Sequence, residues 1–268
     1  MTTQVPPPAG RGIIPVGRTA IESYRFVFIN LDRLVALGWA PMVVIVATHA
    51  VSLSVMGAGM GAGTEVMEFS LARFVATKLI SLPSYAMYVL FAVRWHRLYL
   101  LEERHGVFTE VLTGRNWRFL GYVLLLTLAP GVPNLIFGPS GWPVVMVLYF
   151  LFLRFSLVLP SAAVDQPLRL GEAWRKMRGY IVPYVAIVIL IATPAIIVSG
   201  FFAVVVFSGM FAGGSQVVFE RIVVYNGVTA IFTFLFTAAG ITGLSKFYRH
   251  IVDMEAPEGG ESDAAAGP

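Results

Sequence analysis

The chain has 268 residues, of which 57% are hydrophobic and 13% charged, with a mean hydropathy of +0.77 and a formal net charge of +4. Soluble domains carry about 25% charged residues, so this composition excludes a chain solvated mainly by water. The absence of cysteine excludes a disulfide framework and thiol chemistry.

The placement of charge then sets the architecture. No Asp, Glu, Lys or Arg lies between Leu34 and Gly63, Phe119 and Leu153, Gly179 and Phe219, or Arg221 and Lys246, apart from Arg221 and Lys246 themselves. A spanning helix needs roughly 20 mostly apolar residues, so each window holds at least one. The expected fold is all-α: a polytopic membrane protein with about six transmembrane helices and amphipathic interfacial helices on the cytoplasmic side.

Residues 1–17, with Pro6 to Pro8, read as an unstructured tail without the apolar core of a signal peptide, which makes the first span an uncleaved signal-anchor. The integral membrane domain is expected over 18–250. Ala20 to Arg33 places Ile21, Tyr24, Phe28 and Leu31 near one face at helical spacing, the pattern of a helix lying in the interface. The first span covers about 34–56, and the glycine-rich run Gly57 to Gly63 ends it before an acidic loop holding Glu65 and Glu68. The glycines at 57, 59, 61 and 63 suit close helix packing or a flexible exit; they match neither a Walker loop nor a dinucleotide fingerprint.

The second span, about 71–95, carries Lys78, whose ammonium can reach back to the near interface. The connection that follows is polar, and Phe108, Val111 and Leu112 suggest a weaker interfacial helix ending near Gly114. The third span, about 119–137, is interrupted by Pro130 and Pro133. After the turn Gly138-Pro139-Ser140-Gly141 the fourth covers about 142–162. A polar turn at Asp165-Gln166-Pro167 leads into the clearest amphipathic segment: Leu170, Ala173, Trp174 and Met177 share one face, with Glu172, Arg175, Lys176 and Arg178 on the other. The uncharged stretch 179–219 reads as one kinked span, about 180–207, because Gly209, Gly213, Gly214 and Ser215 read as a loop. The last span is about 223–244, and residues 251–268 form an acidic tail expected to be disordered.

The N-terminal region, the second and fourth connections and the C-terminal end hold most of the cations, and of 19 only Arg73, Lys78 and Arg221 fall on the other side. The positive-inside rule therefore puts both termini in the cytoplasm. Trp39, Trp95, Trp117 and Trp174 fall near the cytoplasmic boundary and Trp142 near the opposite one, the spacing of an aromatic belt. A weak repeat aligns Glu22-Ser23-Tyr24-Arg25 with Glu172-Ala173-Trp174-Arg175, each just before a span.

Arg154, His49 and Asn134 stand inside predicted spans and are candidate functional contacts. Arg154 falls near mid-membrane, where insertion costs about 2.5–3.5 kcal/mol. Two readings are open for it: an interior partner such as Asn134, Ser156, a proline-loosened carbonyl or a lipid phosphate, or snorkelling toward the cytoplasm. His49 could relay protons or bind substrate, although one interhelical hydrogen bond is the plainer reading. His96, Glu102, Glu103 and His105 lack metal-site spacing and read as surface charge. No cofactor site, metal site or catalytic constellation is expected. Cations beside the spans, above all Arg25, Arg175, Lys176 and Arg178, are the expected contacts to anionic lipid phosphates, at about 1 kcal/mol each.

Arg94-Trp95-His96-Arg97, Leu100-Leu101-Glu102, Arg118-Phe119-Leu120-Gly121 and the run from Leu153 to Gly179 resemble the YciC-like bacterial inner-membrane proteins. That family is similar in pattern to the membrane portion of some glycerophosphoryl diester phosphodiesterases. The resemblance implies a bacterial inner-membrane protein with about six spans; the soluble phosphodiesterase barrel has no counterpart here. Function is expected to be non-catalytic organisation of anionic lipids or partner proteins, a homo-oligomer included, with no nucleic acid partner. The alternative is a small-molecule or lipid transporter using a polar cavity among Arg154, His49 and Asn134.

Overall fold

The computed structural model describes residues 14–57, 71–129, 132–210 and 215–253, and these residues form helices and turns without strands. In chain order the helices are α1 (Val16–Ile29), α2 (Leu31–Gly57), α3 (Leu71–Leu101), α4 (Gly114–Leu128), α5 (Val132–Phe137), α6 (Trp142–Phe152), α7 (Val158–Ala163), α8 (Leu170–Lys176), α9 (Ile181–Met210) and α10 (Ser215–Asp253). The segments assigned to 1–13, most of the glycine-rich run, the acidic loop with Glu65 and Glu68, the glycine loop at 211–214 and the tail from 254 lie outside the described residues.

Among the described residues, three helices are long and apolar enough to cross a membrane: Leu31–Ser52, Ile181–Val204 and Val228–Ile251. They differ in how much protein surrounds them. Half of the α10 window is buried inside the protein but only 17% of the α9 window. So α10 is the central helix, packed against α1, α2, α3 and α9, while α9 presents most of its apolar surface outward. The stretch 179–219 holds one long helix with Pro194 inside it, followed by the start of α10. Gly179 supplies the entry to α9 at φ 92, a left-handed conformation that suits glycine.

The third and fourth predicted spans are not single helices. The third divides into α4 and α5, and the fourth into α6 and α7, joined by a 3-10 turn at Leu153–Phe155. Pro160 explains the second division. It has no N–H to bond the carbonyl of Ser156 and its ring would crowd that carbonyl. The chain therefore tightens and restarts as α7, with Pro160 in the first turn, where proline is tolerated.

The segments read as interfacial helices differ from one another. α1 turns its small residues inward: Thr19, Ala20, Ser23 and Val27 are buried against α9 and α10, whereas Ile21 and Phe28 of the predicted apolar face stay exposed. Residues 102–113 contain no helix, so the middle interfacial segment near Phe108 is a set of turns. The reason lies in the backbone: Glu102 and Glu110 take φ values of 57 and 52, outside the right-handed helical region. Trp95 does not belong to an aromatic belt. It is fully buried, stacked on Phe91 at 5.6 Å, while Trp39, Trp117 and Trp142 are exposed.

Candidate functional site

The polar groups of the fold gather where α3, α4, α7 and α10 meet. α3 does not stop at the predicted span boundary but continues to Leu101, which carries Arg94, Trp95, His96 and Arg97 into the protein. Two of these dock on α10 in the same way. Trp95 Nε1 donates to Thr242 Oγ1 at 2.9 Å, and His96 Nδ1 lies 2.6 Å from Ser245 Oγ. Both hydroxyls donate back to carbonyls four residues earlier, Ala238 and Ile241. With the Ser245 proton committed to Ile241, His96 carries its own proton on Nδ1 and donates it.

Burial pushes the His96 imidazole down to about 3, so it is neutral in the folded protein. An unfolded histidine takes up a proton near pH 6.5. The unfolded state therefore binds more protons below that value, and the stability due to neutral His96 is complete above pH 6.5 and lost as pH falls toward 3. The expected slope in that window is about 1.4 kcal/mol per pH unit. Thermal unfolding in detergent between pH 7 and pH 5 should show this decline in the parent and a flatter profile in His96→Asn.

Arg97 begins an ion network that ties α3 and α4 to the acids of two connections. Its Nε and Nη2 donate to the two carboxylate oxygens of Glu103 at 2.7 and 2.5 Å. Its Nη1 donates to the Ala163 carbonyl and to Asp165 Oδ2, both at 2.9 Å. Asp165 Oδ2 also accepts from Arg115 Nη1 at 2.6 Å, and Arg115 Nη2 donates to Glu110 Oε2 at 2.6 Å. Arg94, almost fully buried, lies 3.6 Å from the same Glu110 oxygen. The order is Glu103, Arg97, Asp165, Arg115, Glu110, Arg94: three anions alternating with three cations. The hydrogen bonds from Arg97 hold the Glu103 carboxyl below its usual range.

The backbone is bent to make this possible. Glu110 and Asp165 both sit at positive φ, 52 and 60. Such positions cost an L-residue of order 1 kcal/mol or more and persist where the surroundings impose them. Asn116 contributes by donating to the carbonyls of Glu110 and Val111, both at 2.9 Å. His96 is thus committed to Ser245, while Glu103 pairs with both Arg97 and His105, the latter at 3.3 Å.

The predicted lipid contacts sort into a second group. On α1, Ser23 is fully buried, Tyr24 donates to the Ile191 carbonyl in α9, and Arg25 points to the outside. On α8, Ala173 is fully buried, Trp174 packs against Phe155 at 5.3 Å, and Arg175 is exposed. The two aligned tetrapeptides therefore have one layout: a buried small residue, a docked aromatic, an exposed arginine. Arg178 is exposed and Lys176 half-buried. Among the described residues, Arg25, Arg175 and Arg178 take part in no ion pair.

Arg154 does not reach Ser156. Its guanidinium lies over the Trp174 ring, 4.4 Å from the centroid, with Nε buried and without a hydrogen-bond partner. It anchors α8 to the turn at Leu153–Phe155 through a cation–π contact. His49 lies in α2 and Asn134 in α5, and their side chains lie outside the described residues.

Sequence reading missed Asp165, taken as a turn residue, together with Arg94 and Glu110, because their partners are up to 68 residues away in the chain. It also missed a cleft between α2, α3, α4 and α7 whose lining includes Ser81, Ser84, Tyr85 and Tyr88. Their spacing, i, i+3, i+4 and i+7, marks one face of a helix and was a usable signal.

An all-helical fold with three helices fit to cross a bilayer is the class these features define, that of a membrane protein. No family model, curated protein or solved structure matches the chain.

Proposed function

We propose that the protein is a six-span, non-catalytic membrane protein that gathers anionic lipid headgroups at its cytoplasmic face. In this reading α3, α4 with α5, and α6 with α7 complete the crossings begun by α2, α9 and α10, while α1 and α8 lie in the cytoplasmic interface. The resemblance to YciC-like proteins points to a bacterial inner membrane with both termini in the cytosol. The observation that carries the reading is the sorting of the cations. Arg94, Arg97 and Arg115 turn inward to carboxylates, whereas Arg25, Arg175 and Arg178 are exposed without an ion-pair partner among the described residues.

Each cation held near an anionic leaflet contributes about 1 kcal/mol. Reversing Arg175, Lys176 and Arg178 to glutamate should therefore lower retained phosphatidylglycerol or cardiolipin more than tenfold, read by native mass spectrometry of gently extracted protein. Reversal of Arg118 alone should change it far less. Equal lipid content in the triple variant and the parent would overturn the reading.

A further inference from the structure

We propose that the cleft bounded by α2, α3, α4 and α7 binds a neutral amphiphile with a hydroxyl headgroup and one alkyl chain. The inference does not depend on the lipid reading of the cytoplasmic rim, because it concerns uncharged ligands and other residues.

The cleft has a volume of about 390 Å³, within the 300–1,000 Å³ typical of small-molecule sites. At ~30 Å³ per water-sized group it holds roughly a dozen such groups, enough for a small headgroup and much of a single chain. Its two sides differ. α3 contributes the hydroxyl stripe Ser81, Ser84, Tyr85 and Tyr88, while Ile45, Leu126 and Leu159 from the other helices are hydrocarbon. Thr127, on the α4 side, is exposed, so the cleft is reachable from outside the bundle.

The hydroxyls are not equivalent. Ser84 is engaged with Thr48 of α2, and Thr127 donates to the Val123 carbonyl at 2.6 Å. The phenol groups of Tyr85 and Tyr88 make no hydrogen bond with any described residue. An unpaired hydroxyl in apolar surroundings is costly, and a ligand oxygen would satisfy both donors. No lining residue is charged. A carboxylate or phosphate would enter without a counter-charge, which disfavours it strongly. The complement of this site is therefore an alcohol or monoacylglycerol headgroup beside the tyrosines, with its chain along Ile45, Leu126 and Leu159.

Two further cavities differ in kind. The one between α2 and α10 is lined by hydrocarbon, aromatic rings and Gly38, and the one between α9 and α10 has two threonines and a tyrosine dispersed among aliphatic residues. The two threonines, Thr233 and Thr237, lie one turn apart on α10, and neither cavity presents four hydroxyls along one helix.

The test uses the full-length protein in detergent and a monoacylglycerol carrying a diazirine on its chain, with crosslinked peptides read by mass spectrometry. Labelling is expected within 81–88 and 123–127. Unlabelled monoacylglycerol should compete at least tenfold better than the fatty acid or lysophosphatidylglycerol of the same chain length. Tyr85→Phe with Tyr88→Phe keeps both rings and should weaken labelling roughly tenfold, with an unchanged helical circular dichroism spectrum. Val123→Trp, which fills the cleft, should abolish it. Labelling that falls elsewhere, equal competition by the charged lipids, or full labelling of the double phenylalanine variant would each overturn the proposal.

Discussion

Arg97→Ala is expected to destabilise the protein by about 3 kcal/mol, because breaking one partner out of a buried ion pair leaves its neighbours uncompensated. Arg97 is 12% exposed and serves four acceptor atoms: both Glu103 oxygens, Asp165 Oδ2 and the Ala163 carbonyl. Glu103 and Asp165 keep some contact with solvent, which places the loss at the lower end of the range for buried pairs. Arg97→Lys should recover only part of it, since one ammonium cannot present the planar fork that meets Glu103 on two oxygens. Unfolding by denaturant in detergent micelles gives the measurement. The pH dependence has a definite sign. The Glu103 carboxyl is held low by Arg97 in the folded protein, so its contribution is present above the ordinary glutamate range near pH 4.3 and is lost as pH falls below it. The gap between parent and variant should therefore narrow in acid. A loss under 0.5 kcal/mol would mean that solvent replaces the network at little cost, as it does for exposed pairs.

That network also shows what the sequence could and could not disclose. Uncharged windows are a local property, and they located α2, α9 and α10 because a long apolar helix needs no distant partner to be recognised. Ala173 of α8 and Met177 at its C-cap were legible for the same reason: periodicity over one helix face is read from nearby residues. The fate of Arg97 was not legible. A Trp- and Arg-rich stretch after an apolar run looks like a solvated connection, and only acids at 103, 110 and 165 brought together by the fold turn it inward. Arg154 is intermediate. Its position in an apolar run announced that it must find a partner, but the partner, Trp174, lies across a turn and was read as an interfacial anchor. Pro160 cannot continue a helix, yet the 3-10 turn that carries Arg154 toward α8 depends on how α6 and α7 are joined.

The other large effect is expected at Gly38, where a single methyl group decides whether α2 can approach α10. A Cβ built at Gly38 runs into the Phe234 ring. The ring cannot retreat freely, since its other neighbour is the Phe91 ring, 4.3 Å away between centroids, and Phe91 in turn stacks on buried Trp95. Gly38→Ala should gain up to about 1 kcal/mol of helix propensity and lose more to overpacking, which costs about 1–3 kcal/mol and sometimes more. The net expected loss is about 2 kcal/mol. Gly243→Ala is the control, because the same change there meets the terminal methyl of Ile191 at 2.5 Å. That methyl is the far end of a flexible side chain and can rotate aside, so propensity should nearly cancel the loss. A double-mutant cycle separates the two explanations for a loss at Gly38. If the ring is the obstacle, Phe234→Leu should restore at least 1 kcal/mol in the Gly38→Ala background relative to its effect on the parent. Additive effects would place the obstacle elsewhere, and the close approach of α2 to α10 would then have to rest on other contacts.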